Sequence, residues 1–203
     1  MRGRRTYWEI GGFLAGAVLI VFGAVAIFLG VNGFTTVRDS IKQEQITFGT
    51  VDDPAVAKYA EQWAGQQVKT GDQARAFAQI MRFHTINGEW NPEHLTYSQM
   101  GRFLAADDPG NPKGTSDEAV ALKDEKGNAV SNSFRQTWIT ETALSTALNT
   151  SYMAERLAIF GLVVGVALLL TGVGLVILAF AVFGRVAETE AEKRRVTTVP
   201  VAG

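Results

Sequence analysis

The chain contains no cysteine and only two histidines. Without cysteine there is no disulfide to staple a domain and no thiol to carry a lipid, so any folded part must hold by packing alone. Charge is missing locally. Residues 10–37 and residues 157–184 are each 28 consecutive positions without Asp, Glu, Lys, Arg or His. A spanning helix needs about 20 apolar residues, so both blocks are long enough to cross a bilayer with some tilt. A soluble helix of this length would carry a polar face, and neither block has one. Proline is sparse too, with five in 203 residues and none inside either block.

These absences set the fold class: an all-α membrane protein, two transmembrane helices flanking a small, mostly helical extracytoplasmic domain. The expected limits are a cytoplasmic N-terminus at 1–9, a first span at 10–34, the outer domain at 35–156, a second span at 157–184 and a cytoplasmic tail at 185–203. Arg2, Arg4 and Arg5 precede the first span, and Arg185, Lys193, Arg194 and Arg195 follow the second. Short basic flanks stay cytoplasmic, which puts both termini inside. Tyr7 and Trp8 on one side and Tyr152 on the other stand where interfacial aromatic anchors belong. A cleaved signal peptide is the rival for the first block, but such peptides have an apolar run of only about 7–15 residues. The Ala24-Val25-Ala26 match to a cleavage site lies mid-span.

Residues 35–156 carry 12 Lys and Arg against 16 Asp and Glu, a mildly acidic balance that offers nucleic acid nothing. The first helix is expected to continue through "TTVRDSIKQEQ", and "QITFGTV" alternates weakly. "DPAVAKYAEQWAGQQV" opens with Asp53 as N-cap and Pro54 at the first helical position. "TGDQARAFAQIMRFHTI" puts Ala74, Phe77, Ile80, Met81 and His84 on one helical face, with His84 expected beneath it. "LTYSQMGRFLA" predicts a short third helix. "DDPGNPKGTSDE" reads as a surface loop, and "AVALKDEKGNAV" as a hairpin around Lys126-Gly127-Asn128. From Ser133 onward nothing breaks the helix, which runs as one piece or two stacked pieces to residue 184. The tail beyond is expected to be mobile.

Candidate chemistry fails on inspection. His84 and His94 flank Glu89 and Glu93, but Gly88, Asn91 and Pro92 make the segment between them a loop, a poor base for a tetrahedral zinc site. Residues 107–118 have the length and terminal acids of a calcium loop, yet Pro109 and Pro112 occupy positions that need a ligand and a glycine. No G-x-S-x-G, Walker glycine loop or H-E-x-x-H is present. The spans hold no ionisable residue of the kind that marks ion or proton paths. No catalytic residue, metal or cofactor is assigned, and no enzymatic activity is expected.

What the spans do hold is glycine. In "GAVLIVFGAVAIFLG" it recurs every seventh residue, at Gly16, Gly23 and Gly30. A 3.5-residue stripe along the first span reads Gly12, Gly16, Leu19, Gly23, Ala26, Gly30, Gly33. The second span repeats the theme with Ala158, Gly161, Gly165, Leu168, Gly172 and Ala179. Lipid supplies no hydrophobic drive for helices to pair, so close backbone approach over small residues must do so. Gly12, Gly16, Gly23, Gly30, Gly161, Gly165 and Gly172 are the candidate packing positions. They serve either the pairing of the two spans or contacts between subunits. On the segment before the second span, Ala143, Ala147, Thr150 and Ala154 form a small face, and Trp138 and Tyr152 are candidates for an interaction surface.

The runs "IKQEQITF", "AGQQVKTGDQARAFAQIM", "LTYSQM" and "TWITETALSTALNTSYMAE" resemble a group of uncharacterised actinobacterial two-span integral membrane proteins with an extracytoplasmic helical domain. The resemblance implies topology and source, and no mechanism. The leading expectation is a structural or accessory membrane protein that meets membrane lipid and itself or another membrane protein. The alternative is an oligomeric pore or channel-like assembly, and an enzyme acting on envelope lipid or glycan lacks a nucleophile or metal site.

Overall fold

Four α-helices follow one another along the described chain: α1 (Arg2–Gln43), α2 (Pro54–Tyr59), α3 (Gly71–Asn87) and α4 (Ser133–Thr197). The computed structural model describes residues 2–197, with side chains over residues 10–181. The anchors Tyr7 and Trp8, the basic flanks and all of the tail's side chains lie outside that range. The four prolines among the described residues fall outside helix interiors: Pro54 opens α2, and Pro92, Pro109 and Pro112 sit in loops. That placement is what lets α1 and α4 run unbroken for 42 and 65 residues. Instead of loosening at residue 185, the helix continues to Thr197. "AETEAEKRR" consists almost wholly of strong helix formers, which accounts for the helix there; residues 198–203 of the expected mobile tail lie outside the described residues.

The chain divides into two compact units. One comprises the described parts of Met1–Phe34 and Leu157–Gly203, the other Thr35–Arg156. In the first, the apolar stretches of α1 and α4 lack cover. Only 17% and 11% of their most apolar windows are buried, and Phe22, Phe28, Phe160 and Leu170 are all more than 60% exposed. A core helix of a soluble protein would bury such side chains, whereas a membrane helix turns them to lipid. The fold is that of a two-span membrane protein, and its apolar helices are suited to lipid contact.

The second unit is built on α3. Thr70 and Gln73 form a reciprocal capping box at its start, each accepting the other's backbone N–H. Asp53 accepts the Ala55 N–H at 2.8 Å and starts α2, with Pro54 at the first helical position. The helix then stops at Tyr59, shorter than the sequence pattern suggests, and a 3₁₀ turn at Glu61–Trp63 follows. Ile41 of α1, Phe48, Val56 of α2, Val68, Ala74 and Ile80 of α3 and Leu148 of α4 make the main core. The expected third helix is reduced to a 3₁₀ turn at Tyr97–Gln99, because Thr96 and Gln99 close a capping box over a single turn. Leu95, Met100 and Trp138 form a second, smaller core there.

No β-strand forms among the described residues, only isolated antiparallel bridges. Thr47 pairs with Gln67 in the weakly alternating stretch. Lys123 pairs with Ala129 across a turn in which the Asp124 carboxylate accepts the N–H groups of Lys126 and Asn128. Phe103 bridges both Thr115 and Ser131, which ties down the proline-rich loop. Asn132 closes the region. Its Nδ2 donates to Gly101 O and Pro112 O, while its Oδ1 accepts from Phe134 N and Arg135 N at the start of α4.

Candidate functional site

Within the first unit, α1 and α4 run antiparallel and approach most closely at glycines. A Cβ placed on Gly16 would stand 2.8 Å from Gly172 O. On Gly23 it would stand 2.7 Å from Gly165 O and from Leu169 N, and on Gly30 it would stand 3.0 Å from Ala158 O. Each seven-residue step along α1 meets a seven-residue step back along α4. From the other side, a Cβ on Gly165 would be 2.8 Å from Ile27 N, and one on Gly172 would be 2.6 Å from Gly16 O. A real Cβ does not come under 3.0 Å of a facing backbone, so none fits at Gly16, Gly23, Gly165 or Gly172 as the helices stand, while at Gly30 one would crowd Leu162 Cγ at 2.8 Å. Gly12 and Gly161, the other two candidates, have nothing within 4 Å.

The same 3.5-residue period runs on through α4 into the second unit with different chemistry. Trp138, Glu141, Ser145, Leu148 and Glu155 lie on it and are all buried. Glu155 accepts the Gly71 N–H at 2.8 Å, at the positive end of α3, and receives Nε and NH2 of Arg38 at 3.3 and 3.2 Å. A two-pronged cation and a helix N-terminus together offset the desolvation of that carboxylate. A Cβ on Gly71 would stand 3.0 Å from the Tyr152 backbone, so glycine is what lets α3 start against α4. One residue on, Arg156 pairs with Asp72. Tyr152, half-buried, lies between the guanidinium groups of Arg75 and Arg156, 4.8 and 5.2 Å from its ring centre.

Trp138 is only 3% exposed, donates from Nε1 to Leu95 O at 3.1 Å, and carries Arg82 over its ring at 4.7 Å. It is an internal anchor, so it offers a partner nothing. The smaller core with Leu95 and Met100 needs a large residue where α4 meets the loop after α3, and Trp138 fills it. Deeper along the helix, Glu141 receives Ser145 Oγ on Oε1 at 2.5 Å, with Arg82 Nε at 3.4 Å from the same oxygen.

His84 is exposed on α3, contrary to the expected place beneath the helix face. It faces Asp53, with Nε2 at 3.0 Å from Oδ1. Partial burial pushes the Asp53 carboxyl up, but the hydrogen bonds from His84 and Ala55 and the charge of His84 outweigh this and hold it below its ordinary value of 3.8. His94, in a left-handed backbone conformation, turns Nδ1 to Ile86 O at 3.1 Å. The two histidines thus serve different local contacts. No group of three or more His, Cys, Asp or Glu positioned for a metal occurs among the described residues.

The polar residues on α4 escaped the sequence reading because glutamate and serine on a helix ordinarily face water. Their one visible signal is register: Glu141, Ser145 and Glu155 keep step with Trp138 and Leu148. No family model, no curated protein and no solved structure matches the chain.

Proposed function

We propose that the protein is a structural or accessory component of the cell membrane, without enzymatic activity and with both termini cytoplasmic. Its spans pair through their glycines, and the domain at 35–156 meets a partner in the envelope. The observation that carries this reading is the matched approach of Gly16, Gly23 and Gly30 to Gly172, Gly165 and Ala158. In lipid, such a seam holds a helix pair by dispersion and backbone proximity. Gly12 and Gly161 lie off this seam, with nothing within 4 Å of a Cβ at either. The described residues lack an obvious catalytic set, and the spans carry no ionisable side chain, which speaks against ion transport.

A crosslink tests the seam. The chain has no native cysteine, and a Cβ on Gly33 would stand 3.6 Å from Ala158 Cβ, inside the range of a disulfide. The double variant Gly33→Cys with Ala158→Cys, oxidised in membranes, is expected to form an intrachain bond that leaves the monomer's mass unchanged on denaturing gels. Crosslinked dimers in place of monomers would assign the seam to subunit contacts. Ion flux through liposomes holding the purified protein would favour the pore.

A further inference from the structure

The C-terminal end of α1 carries the first charges after its uncharged run. Arg38 follows Val37 directly, and Lys42 comes one turn later. In the second unit both line a groove of about 510 Å³, completed by residues 66–70 and the start of α3, with Lys69 in its wall. Among the described residues three cations line this groove, and no Asp or Glu does. Arg38 is paired with Glu155, and Lys42 with Asp39. The second pair is exposed on both sides, its side chains 47% and 65% open to solvent, so it holds Lys42 only weakly. Lys69 is exposed, and its ammonium has no partner among the described residues.

The neutral part of the wall adds hydrogen-bond donors. Gln73 is buried, and its Oε1 accepts the N–H groups of Lys69 and Thr70 at 2.8 and 3.2 Å. Its Nε2 donates to nothing among the described residues. That nitrogen is not sealed, since the sealed side-chain atoms without a partner are Arg135 Nε and Glu141 Oε2. It therefore reaches solvent, and this groove is the one that Gln73 lines. Thr70 Oγ1 accepts the Gln73 N–H and keeps its own proton to donate. Gln67 spends one amide proton on Lys42 O at 3.1 Å and has a second. Ammonium, guanidinium, hydroxyl and amide donors in one wall, with no carboxylate among them, suit an anion rich in acceptor oxygens.

We infer that this groove binds the phosphate group of an anionic membrane lipid, with Lys42 and Lys69 supplying charge and Thr70 and Gln73 supplying hydrogen bonds. Position selects a lipid over a soluble phosphate. The 28 uncharged residues before Arg38 cover about 42 Å of helix. A bilayer with its headgroups is about 40–45 Å deep. Arg38 and Lys42 therefore leave the membrane at headgroup level, where basic residues attract anionic lipid. The inference rests on α1 crossing the membrane, and on neither the glycine seam nor a protein partner.

Native mass spectrometry of the full-length protein in dodecyl maltoside micelles, titrated with dioleoylphosphatidylglycerol, tests it. Saturable binding is expected, at least about fivefold tighter than that of dioleoylphosphatidylcholine, whose own ammonium offsets its phosphate. Lys42→Gln and Lys69→Gln should each weaken phosphatidylglycerol by about fivefold. Lys126→Gln, outside the groove, should leave it unchanged. Glycerol 1-phosphate should fail to displace the lipid at matched concentration. Displacement would assign the groove to soluble phosphate and overturn the lipid. Equal affinity of the native chain for the two lipids overturns the site, and that comparison needs no variant to fold. Affinity for phosphatidylglycerol unchanged by both groove substitutions overturns it as well.

Discussion

At the scale of single residues, side-chain hydrogen bonds and ion pairs tie the pieces of the domain at 35–156 together. Asp53 is the most informative. It caps α2 through Ala55 N and holds His84 of α3 at 3.0 Å, so one carboxylate ties two helices. Its pKa in the folded chain lies below 3.8 because the donors from His84 and Ala55 outweigh the effect of partial burial. A carboxyl lowered on folding stabilises in full above its unfolded value, and that contribution drains as pH falls through the folded one. The native protein should therefore lose thermal stability between about pH 5 and about pH 3 more steeply than Asp53→Asn. Asparagine still caps the helix, so the comparison isolates the charge. Melting curves that fall in parallel would remove Asp53 from the acid response.

At the scale of elements, α1 and α4 were readable in the sequence because two things coincide in them: no charge for 28 residues and no proline at all. The shorter pieces were less legible. "DPAVAKYAEQW" reads as one helix, yet Ala60 takes an extended φ of −148° and hands over to a 3₁₀ turn. Packing of Ala60 and Trp63 in the core decides that, and no local signal announces it. The buried acids on α4 were hidden for the same reason. Glu141 and Glu155 look like solvent residues until α1 and α3 supply partners from far along the chain. Glycine behaves in the opposite way, since its spacing alone marked a stripe and the helix register then divides that stripe in two. Gly23→Leu forces a side chain to 2.7 Å from a facing backbone, an overpacking that costs about 1–3 kcal/mol or more. Gly12→Leu meets nothing within 4 Å and gains helix propensity of up to about 1 kcal/mol. Heating the two variants in mild detergent and following ellipticity should give shifts of opposite sign. Equal shifts would mean that the seam does not discriminate between these glycines.

At the scale of the whole molecule, the question is which side of the membrane each part occupies. The charges give the argument. Arg2, Arg4 and Arg5 before the first span and Arg185, Lys193, Arg194 and Arg195 after the second make seven basic residues against four acids, Glu9, Glu188, Glu190 and Glu192. The domain at 35–156 reverses that balance, with 12 basic residues against 16 acidic. Basic residues within about 15–20 positions of a span end are retained in the cytoplasm, while domains cross largely regardless of their charge. Two spans then return the chain to its starting side, so both ends share a compartment. Lys126 lies in the exposed turn around Gly127, and the chain has no cysteine to interfere. Lys126→Cys should react with a membrane-impermeant maleimide added to intact cells, whereas Ala202→Cys should react only after the membrane is opened. Labelling of Ala202→Cys alone on intact cells would invert the topology, and labelling of both would show that the two ends of the second span face the same side. Only the first of these results would place the domain at 35–156 in the cytoplasm; the second would leave that domain outside and overturn the two-span crossing instead.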